Sequence, residues 1–300
     1  MQTATTNASC LKFAKIILSY NGGVIPTKEQ NELLKEFFPL TASPNWKIYS
    51  RKFFAWYERF VASEMTKQDN SKIFAKSGNR KLPFLSFSTM PDVTCPGAGE
   101  CLSFCYSFKG WRNVHPFFRQ LRNTLLMKYS FSTIKGEMKK VLNERKFKNM
   151  ESVDFRLYVD GDFSSLFDVA YWMDLLAETP RVNAYGYSKS WKELLAYNEG
   201  NEFPSNYVLN ISSGSKFTMK GKLFDKVSGL SCTRNAFMAI RIANGLKIDT
   251  PAYRKALKVA ANEQGISKMF ICGGSCGDCT KIGHACGLAS LNAPVVIGIH

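Results

Sequence analysis

No stretch of the chain comes near the roughly 18 uninterrupted apolar residues that a membrane helix needs. The longest apolar patches are as short as Val295–Ile299, so no membrane partner is expected. The first residues lack the basic-then-apolar layout of a secretory signal, and a cytoplasmic protein is expected. Histidine is scarce: His115, His284 and His300 are the only three, which leaves histidine-based chemistry little to work with. There is no Gly-x-Ser-x-Gly elbow, no Walker lysine loop and no Rossmann glycine fingerprint. Low-complexity tracts and repeats of 20–50 residues are absent too, which excludes solenoids and propellers.

Acidic residues are the next shortage. The 300 residues hold 24 Asp plus Glu against 40 Lys plus Arg, a net of +16. The imbalance is uneven: residues 1–150 carry 24 basic and 10 acidic side chains, whereas residues 151–300 carry 16 and 14. Within 101–150 the ratio is 11 to 2. A positive field so concentrated attracts polyanions, and nucleic acid, DNA or RNA, is the expected partner class. A basic surface that serves only solubility is the alternative.

Cysteine is plentiful, with nine residues. In a cytoplasmic chain these are not a disulfide framework, because the compartment keeps thiols reduced. Three fall at Cys95, Cys101 and Cys105, and four at Cys272, Cys276, Cys279 and Cys286, while Cys10 and Cys232 stand alone. Two tight groups far apart point to metal ligation, with Cys10 a buried apolar residue of an N-terminal helix.

Two segments are expected. Residues 1–80 read as helical, with a capping box at Thr27–Gln30 opening a helix to about Phe38, a second helix over Trp46–Met65, and a polar linker at Lys67–Lys81. From 81 to 300 strands and helices alternate. The strand candidates are Leu82–Thr89, Asp154–Asp160, Val182–Ser188, Asn206–Ser212, a weaker Leu230–Thr233, Lys268–Cys272 and Pro294–Ile299. The helix candidates are Pro116–Asn143, Leu166–Glu178, Trp191–Tyr197, Phe217–Val227 and Pro251–Glu263. This order gives an α/β fold with a parallel sheet, a partial or full (β/α) barrel. Cys95, the Asp160-Gly-Asp162 turn, Lys189, Ser212, Cys232 with Arg234, and Cys272 each follow a strand candidate. In a parallel sheet those ends share one edge, where sites are built.

Cys272-Gly-Gly-Ser-Cys276-Gly-Asp-Cys279 places three thiols around flexible glycines, with Cys286 as the natural fourth. A structural zinc site more often uses two separated Cys-x-x-Cys knuckles. Closely spaced thiolates suit an iron–sulfur cluster, with the four-iron, four-sulfur type expected. Zinc stays the alternative, with His284 available as a mixed ligand. The spacing of Cys95, Cys101 and Cys105 matches no zinc finger. It leaves a cluster with an open fourth position or with Cys232 as the distant fourth ligand.

The string FSTMPDVTCPGAGECLSFCY, with RLYVDGDFSS and AYGYSKS, resembles the gene-product-eighty-eight family of phage and plasmid proteins, over about Leu82–Ser213. The likeness implies a mobile-element protein and says little of activity. A looser similarity is to radical SAM enzymes, which carry three cysteines after the first barrel strand, the last beside an aromatic, as Cys105-Tyr106 is. It implies S-adenosylmethionine as cofactor and Gly161-Asp162 as the family's Gly/acid motif. The family's Cys-x-x-x-Cys-x-x-Cys spacing is absent at 95–105 and occurs instead at 272–279.

Lys109, Trp111, Arg112, Arg119, Arg122 and Lys128 interleave with Phe117, Phe118 and Tyr129. Bases could stack on the rings while the cations neutralise phosphates; a buried apolar stripe is the competing reading. Asp160 and Asp162, on one side of a strand that runs through both, are candidates for acid–base work or cation binding, or for turn hydrogen bonds. Lys189 is a candidate catalytic or anion-binding lysine. The expected function is a metal-cluster protein that binds, and modifies or cleaves, nucleic acid. A non-enzymatic accessory protein held together by its metal, and a radical-SAM-like enzyme on a small substrate, are the alternatives.

Overall fold

The computed structural model describes residues 2–38, 44–76, 84–274 and 285–299. They form two compact units that interleave in sequence: residues 1–74, 88–93 and 105–148 in the first, and 75–87, 94–104 and 149–300 in the second. Residues 105–148, read above with the barrel-like segment, cluster with the helical unit.

The first unit is built from α1 (Gln2–Ser19), α2 (Thr27–Phe37), α3 (Pro44–Val61), α4 (Lys67–Asn70), α5 (Tyr106–Gly110), α6 (Val114–Tyr129) and α7 (Phe131–Leu142). Its core is aromatic. Phe13 of α1 is fully buried, with the rings of Phe53 and Phe117 each 6.2 Å away and that of Phe54 at 6.1 Å. Such ring pairs, edge-on for Phe53 and Phe54 and tilted for Phe117, stabilise by about 0.5–1.5 kcal/mol each beyond their burial. The single long helix expected over Pro116–Asn143 is two. Ser130 breaks the helix between α6 and α7, at φ −153° and ψ 49°, and its hydroxyl meets that of Thr133 at 2.8 Å. The capping box expected at Thr27 is absent: Pro26 is the N-cap, and Gln30 Nε2 donates to the Ile25 carbonyl instead. A capping box does form at Thr66 and Asp69, where the segment expected to be a linker begins.

The second unit holds the sheet. Its strands are β1 (Leu85–Ser86), β2 (Val153–Leu157), β3 (Val182–Ser188), β4 (Tyr207–Ser212), β5 (Thr233–Arg241), β6 (Phe270–Ile271) and β7 (Val295–Ile299). Between them lie α8 (Leu166–Ala177), α9 (Trp191–Asn198), α10 (Lys222–Ser228) and α11 (Pro251–Glu263). Every strand pairing is parallel, in the order β1-β2-β3-β4-β5-β7-β6, and the sheet curls as a half-barrel. The expected α/β parallel fold is therefore the observed one. Strands β1 to β5 are added successively along one edge, where right-handed crossovers leave the connecting helices on one face, and β7 inserts between β5 and β6. Alternation shows the two faces. Ile240 of β5 and Val296 of β7 pack with Tyr253 and Leu257 of α11. Their neighbours Phe237 and Val295 pack on the opposite, inner face with Tyr185 and Cys286.

Three strands differ from expectation. β2 stops at Leu157 because Tyr158 is left-handed, at φ 54°. Residues 82 and 83 lie outside the described set, and β1 is only two residues long. The weak strand expected at Leu230–Thr233 is instead the nine-residue β5, which begins at Thr233. Leu209 faces Thr233 and Asn210 faces Asn235, so Arg234 is the extra residue of a bulge.

Candidate functional site

The carboxyl-terminal edge of the sheet gathers much of what the sequence singled out. Asp162, in the loop after β2, is buried. Its Oδ1 accepts from the Phe163 main-chain N–H at 2.9 Å and from Ser188 Oγ at 2.7 Å. Its Oδ2 accepts from the Lys189 main-chain N–H at 2.7 Å. Burial pushes its carboxyl pKa up; these hydrogen bonds and the Lys189 charge pull against that without reversing it. Asp162 clasps the loops after β2 and β3. Asp160 does not share that arrangement. β2 ends before either residue, so no strand aligns the two carboxylates. The N-cap of α8 is Ser165 rather than either aspartate. Lys189 extends along the same edge, and its Nζ donates to Ser212 Oγ, at the end of β4, at 2.8 Å.

The loop carrying Cys95 and Cys101 docks on this edge. Gly97 lies against the Lys189 main chain so closely that a Cβ there would fall 1.7 Å from the Lys189 carbonyl oxygen. The Gly97 carbonyl accepts from Lys216 N–H at 3.0 Å and Ser215 Oγ at 2.9 Å. The N–H groups of Gly99 and Cys101 both donate to the Gly214 carbonyl, at 3.2 and 3.0 Å. Gly214 has φ +73°, and a Cβ there would come within 2.9 Å of Cys101 Cβ, so only glycine fits. The first two cysteines of the front trio and the Asp162–Lys189 pair thus share one edge, as the single strand direction requires. Cys105 lies in the helical unit, at the N-cap of α5, with its side chain making no cap hydrogen bond.

Cys232 is a correction. The expected strand would have put it at the same edge as Cys95. It instead precedes β5, its carbonyl accepting from Leu209 near the start of β4. It sits at the opposite edge, about 16 Å of strand away from Gly214 at about 3.3 Å per residue. It is buried, and burial pushes its thiol pKa up to about 12.

A second centre occupies the inner face. Cys286 is buried in a cluster with Tyr185 and Val295, against which Tyr187, Phe237, Phe270 and Cys272 pack. Two cysteines 14 positions apart in sequence therefore share one cluster. The Cys286 carbonyl accepts from Asn210 Nδ2 at 2.9 Å. Burial raises its thiol pKa to about 12, against the Tyr187 hydrogen bond and the charges of Arg234 and Arg156. Cys276, Cys279 and His284 lie outside the described residues. Among the described residues no disulfide forms, and no three His, Cys, Asp or Glu side chains are grouped to hold a metal ion. Cys272 and Cys286, which pack in the same cluster, are described thiols whose soft donors suit a thiolate-bound metal.

Of the rings expected to form a stacking platform on α5 and α6, Tyr129 stays exposed and the others are buried. Trp111 is fully buried, its Nε1 donating to Gln120 Oε1 at 2.7 Å, and Phe117 and Phe118 are core residues. Arg122 lies over the Trp56 ring at 5.1 Å, and burial lowers its pKa to about 10. The buried apolar stripe wins. Arg119 is partly buried, and exposed cations remain at Lys109, Arg112 and Lys128.

Sequence reasoning missed Tyr187, Arg156, Asn210 and the glycine contacts of Gly97. Tyr187 and Ser188 stand beside Lys189 in AYGYSKS, a motif that pointed to this place without giving their roles.

No helix among the described residues is long and apolar enough to cross a membrane. Neither the curated proteins nor the solved structures contain a match to this chain. The similarity to radical SAM enzymes finds no support in these comparisons. The family model described as Gene product 88 matches residues 61–285, which is 225 of the 300 positions, and the chain belongs to that family.

Proposed function

We propose that this chain is a metal-thiolate protein of phage or plasmid type that engages nucleic acid and carries out chemistry at the carboxyl-terminal edge of its sheet. The observation that carries the reading is the convergence of Cys272 and Cys286 on one buried cluster of the inner face. With Cys276 and Cys279 close by in sequence, four thiols are available, and their spacing favours an iron–sulfur centre over zinc. Cys95 and Cys101 sit on the loop pinned beside Asp162 and Lys189, where they would supply sulfur to a front centre. The metal would bring Lewis-acid or redox chemistry to that edge. Lys189 would hold an anionic group there through its Nζ. The excess positive charge of residues 1–150 supports a polyanionic partner, with Lys109, Arg112 and Lys128 as exposed phosphate contacts.

One observation favours a second reading, a binding protein in which metal only holds loops together. Both Asp162 oxygens are engaged by protein donors, as in a structural clasp. S-adenosylmethionine belongs to neither reading unless the front cysteines prove catalytic.

The test is anaerobic purification of the intact protein, with iron, sulfide and zinc analysis, followed by DNA and RNA binding at rising salt. Bound iron and sulfide with steeply salt-sensitive binding support the first reading. Zinc alone supports the second. Protein with no metal, or with no affinity for either nucleic acid, contradicts the proposal. Cys101→Ser separates the roles: loss of activity with fold and binding intact makes the front thiols catalytic.

A further inference from the structure

The inner face holds a buried cation that the cysteine pair explains. Arg234, the bulge residue of β5, is 7% exposed. Its Nε donates to Asn210 Oδ1 at 2.8 Å, and its Nη1 to the carbonyls of Leu291 and Ala293 at 2.9 and 2.8 Å. Its buried Nη2 has no hydrogen-bond partner. Among the described residues, every group it hydrogen-bonds is neutral and no ion pair includes it. A buried guanidinium surrounded only by dipoles costs several kcal/mol unless a negative charge lies close. Among the described residues, the ionisable groups that act on Arg234 are Cys286 and Tyr187.

Those two residues are themselves neighbours. Tyr187 packs against the cluster that holds Cys286, and the Arg156 guanidinium lies 5.1 Å from the Tyr187 ring centroid. Asn210 links the set, accepting from Arg234 through Oδ1 while donating to the Cys286 carbonyl through Nδ2. The bulge that turns Arg234 inward, the loop bearing Cys286 and the side chain of Tyr187 therefore form one connected arrangement around a sulfur atom.

We propose that Tyr187 and Arg234 are the positioning shell of a metal centre ligated by Cys286: the Tyr187 hydroxyl donates to the metal-bound sulfur, and the buried guanidinium balances the negative charge of the thiolate ligands. This deepens the metal-thiolate reading and rests on it. Groups that orient and hydrogen-bond a ligand typically change metal affinity by about 10–100-fold when removed. Hydrogen bonds to cluster sulfurs also set the reduction potential.

The experiment uses the intact protein with Co2+ as probe, whose sulfur ligation is visible by absorption, in competition with a chelator. Tyr187→Phe removes one hydroxyl and keeps the ring. It is expected to weaken Co2+ binding about 10-fold with unchanged stoichiometry and unchanged circular dichroism. Arg234→Lys, which keeps the charge without the fork, is expected to weaken it less than Arg234→Gln. If the parent binds Co2+ through sulfur and Tyr187→Phe binds equally tightly, this inference is wrong while the metal reading stands. If the parent takes up no metal through sulfur, the metal reading fails, and this inference fails with it.

Discussion

Asp162 and Lys189, 27 positions apart, are joined by a 2.7 Å hydrogen bond from the Lys189 main-chain N–H to Asp162 Oδ2. The bond ties the loop after β2 to the loop after β3, and the cysteine loop rests on the same lysine through Gly97. Removing the carboxylate leaves the Ser188 hydroxyl and two main-chain N–H groups without their acceptor. Asp162→Ala should lower stability by about 3 kcal/mol or more, at 1–3 kcal/mol for each buried group left unsatisfied. Denaturant unfolding measures it. A variant as stable as the parent would show that Asp162 is kept for chemistry rather than for the clasp.

Gly97→Ala sets a methyl group into the Lys189 carbonyl, where the approach is main chain to main chain and no rotamer change relieves it. The loop bearing Cys95 and Cys101 must lift from the strand ends. The expected result is faster thiol labelling of Cys101, with the helical unit unaffected. Labelling at the parent rate would contradict the docking.

The α5–α6 region separates two roles that its composition confounds. Trp111→Ala empties a fully buried site and should cost about 3–5 kcal/mol in stability. Lys109→Ala with Arg112→Ala, both exposed, should leave stability unchanged and reduce the log–log salt slope of duplex DNA binding by about 2. An unchanged slope would remove these two residues from the contact surface.

How much of this was legible follows from what each signal reports. β3 and α11 stand where expected, at Val182–Ser188 and Pro251–Glu263, because each is an uninterrupted pattern with clear ends. β5 was displaced because Arg234, Asn235 and Arg241 break its apolar character, and the inward turn of Arg234 follows from a bulge that only pairing with β4 defines. The end of β2 rests on a left-handed Tyr158, a conformation that local sequence does not demand. Trp111 and Phe117 were ambiguous because a basic, aromatic helix reads alike whether its rings meet a partner or face solvent. Their burial depends on α1 and α3, far away in sequence. The shared edge of the cysteine loop and Asp162 was legible, since parallel strands place all their ends together. The Cys286 shell was not, since it joins β3, β4, β5 and the loop before β7.

In the helical unit, Asp69 makes the pH dependence explicit. Burial resists ionisation of its carboxyl, but hydrogen bonds from Arg59 and Thr66 outweigh it and bring the pKa from 3.8 down to about 2. A depressed folded-state pKa stabilises above the unfolded value and is lost as pH falls through the folded one. Stability should therefore decline between about pH 4 and pH 2, and Asp69→Asn should flatten that limb. An identical acid profile in the variant would contradict the assignment.

Metal content compared across two serine variants of the intact protein, prepared without oxygen, tests the central claim most directly. The parent should carry bound metal with sulfide, Cys286→Ser should lose the inner-face share, and Cys101→Ser should retain it. A parent with every thiol open to titration and no metal, or a Cys286→Ser variant that keeps the full complement, would contradict the account.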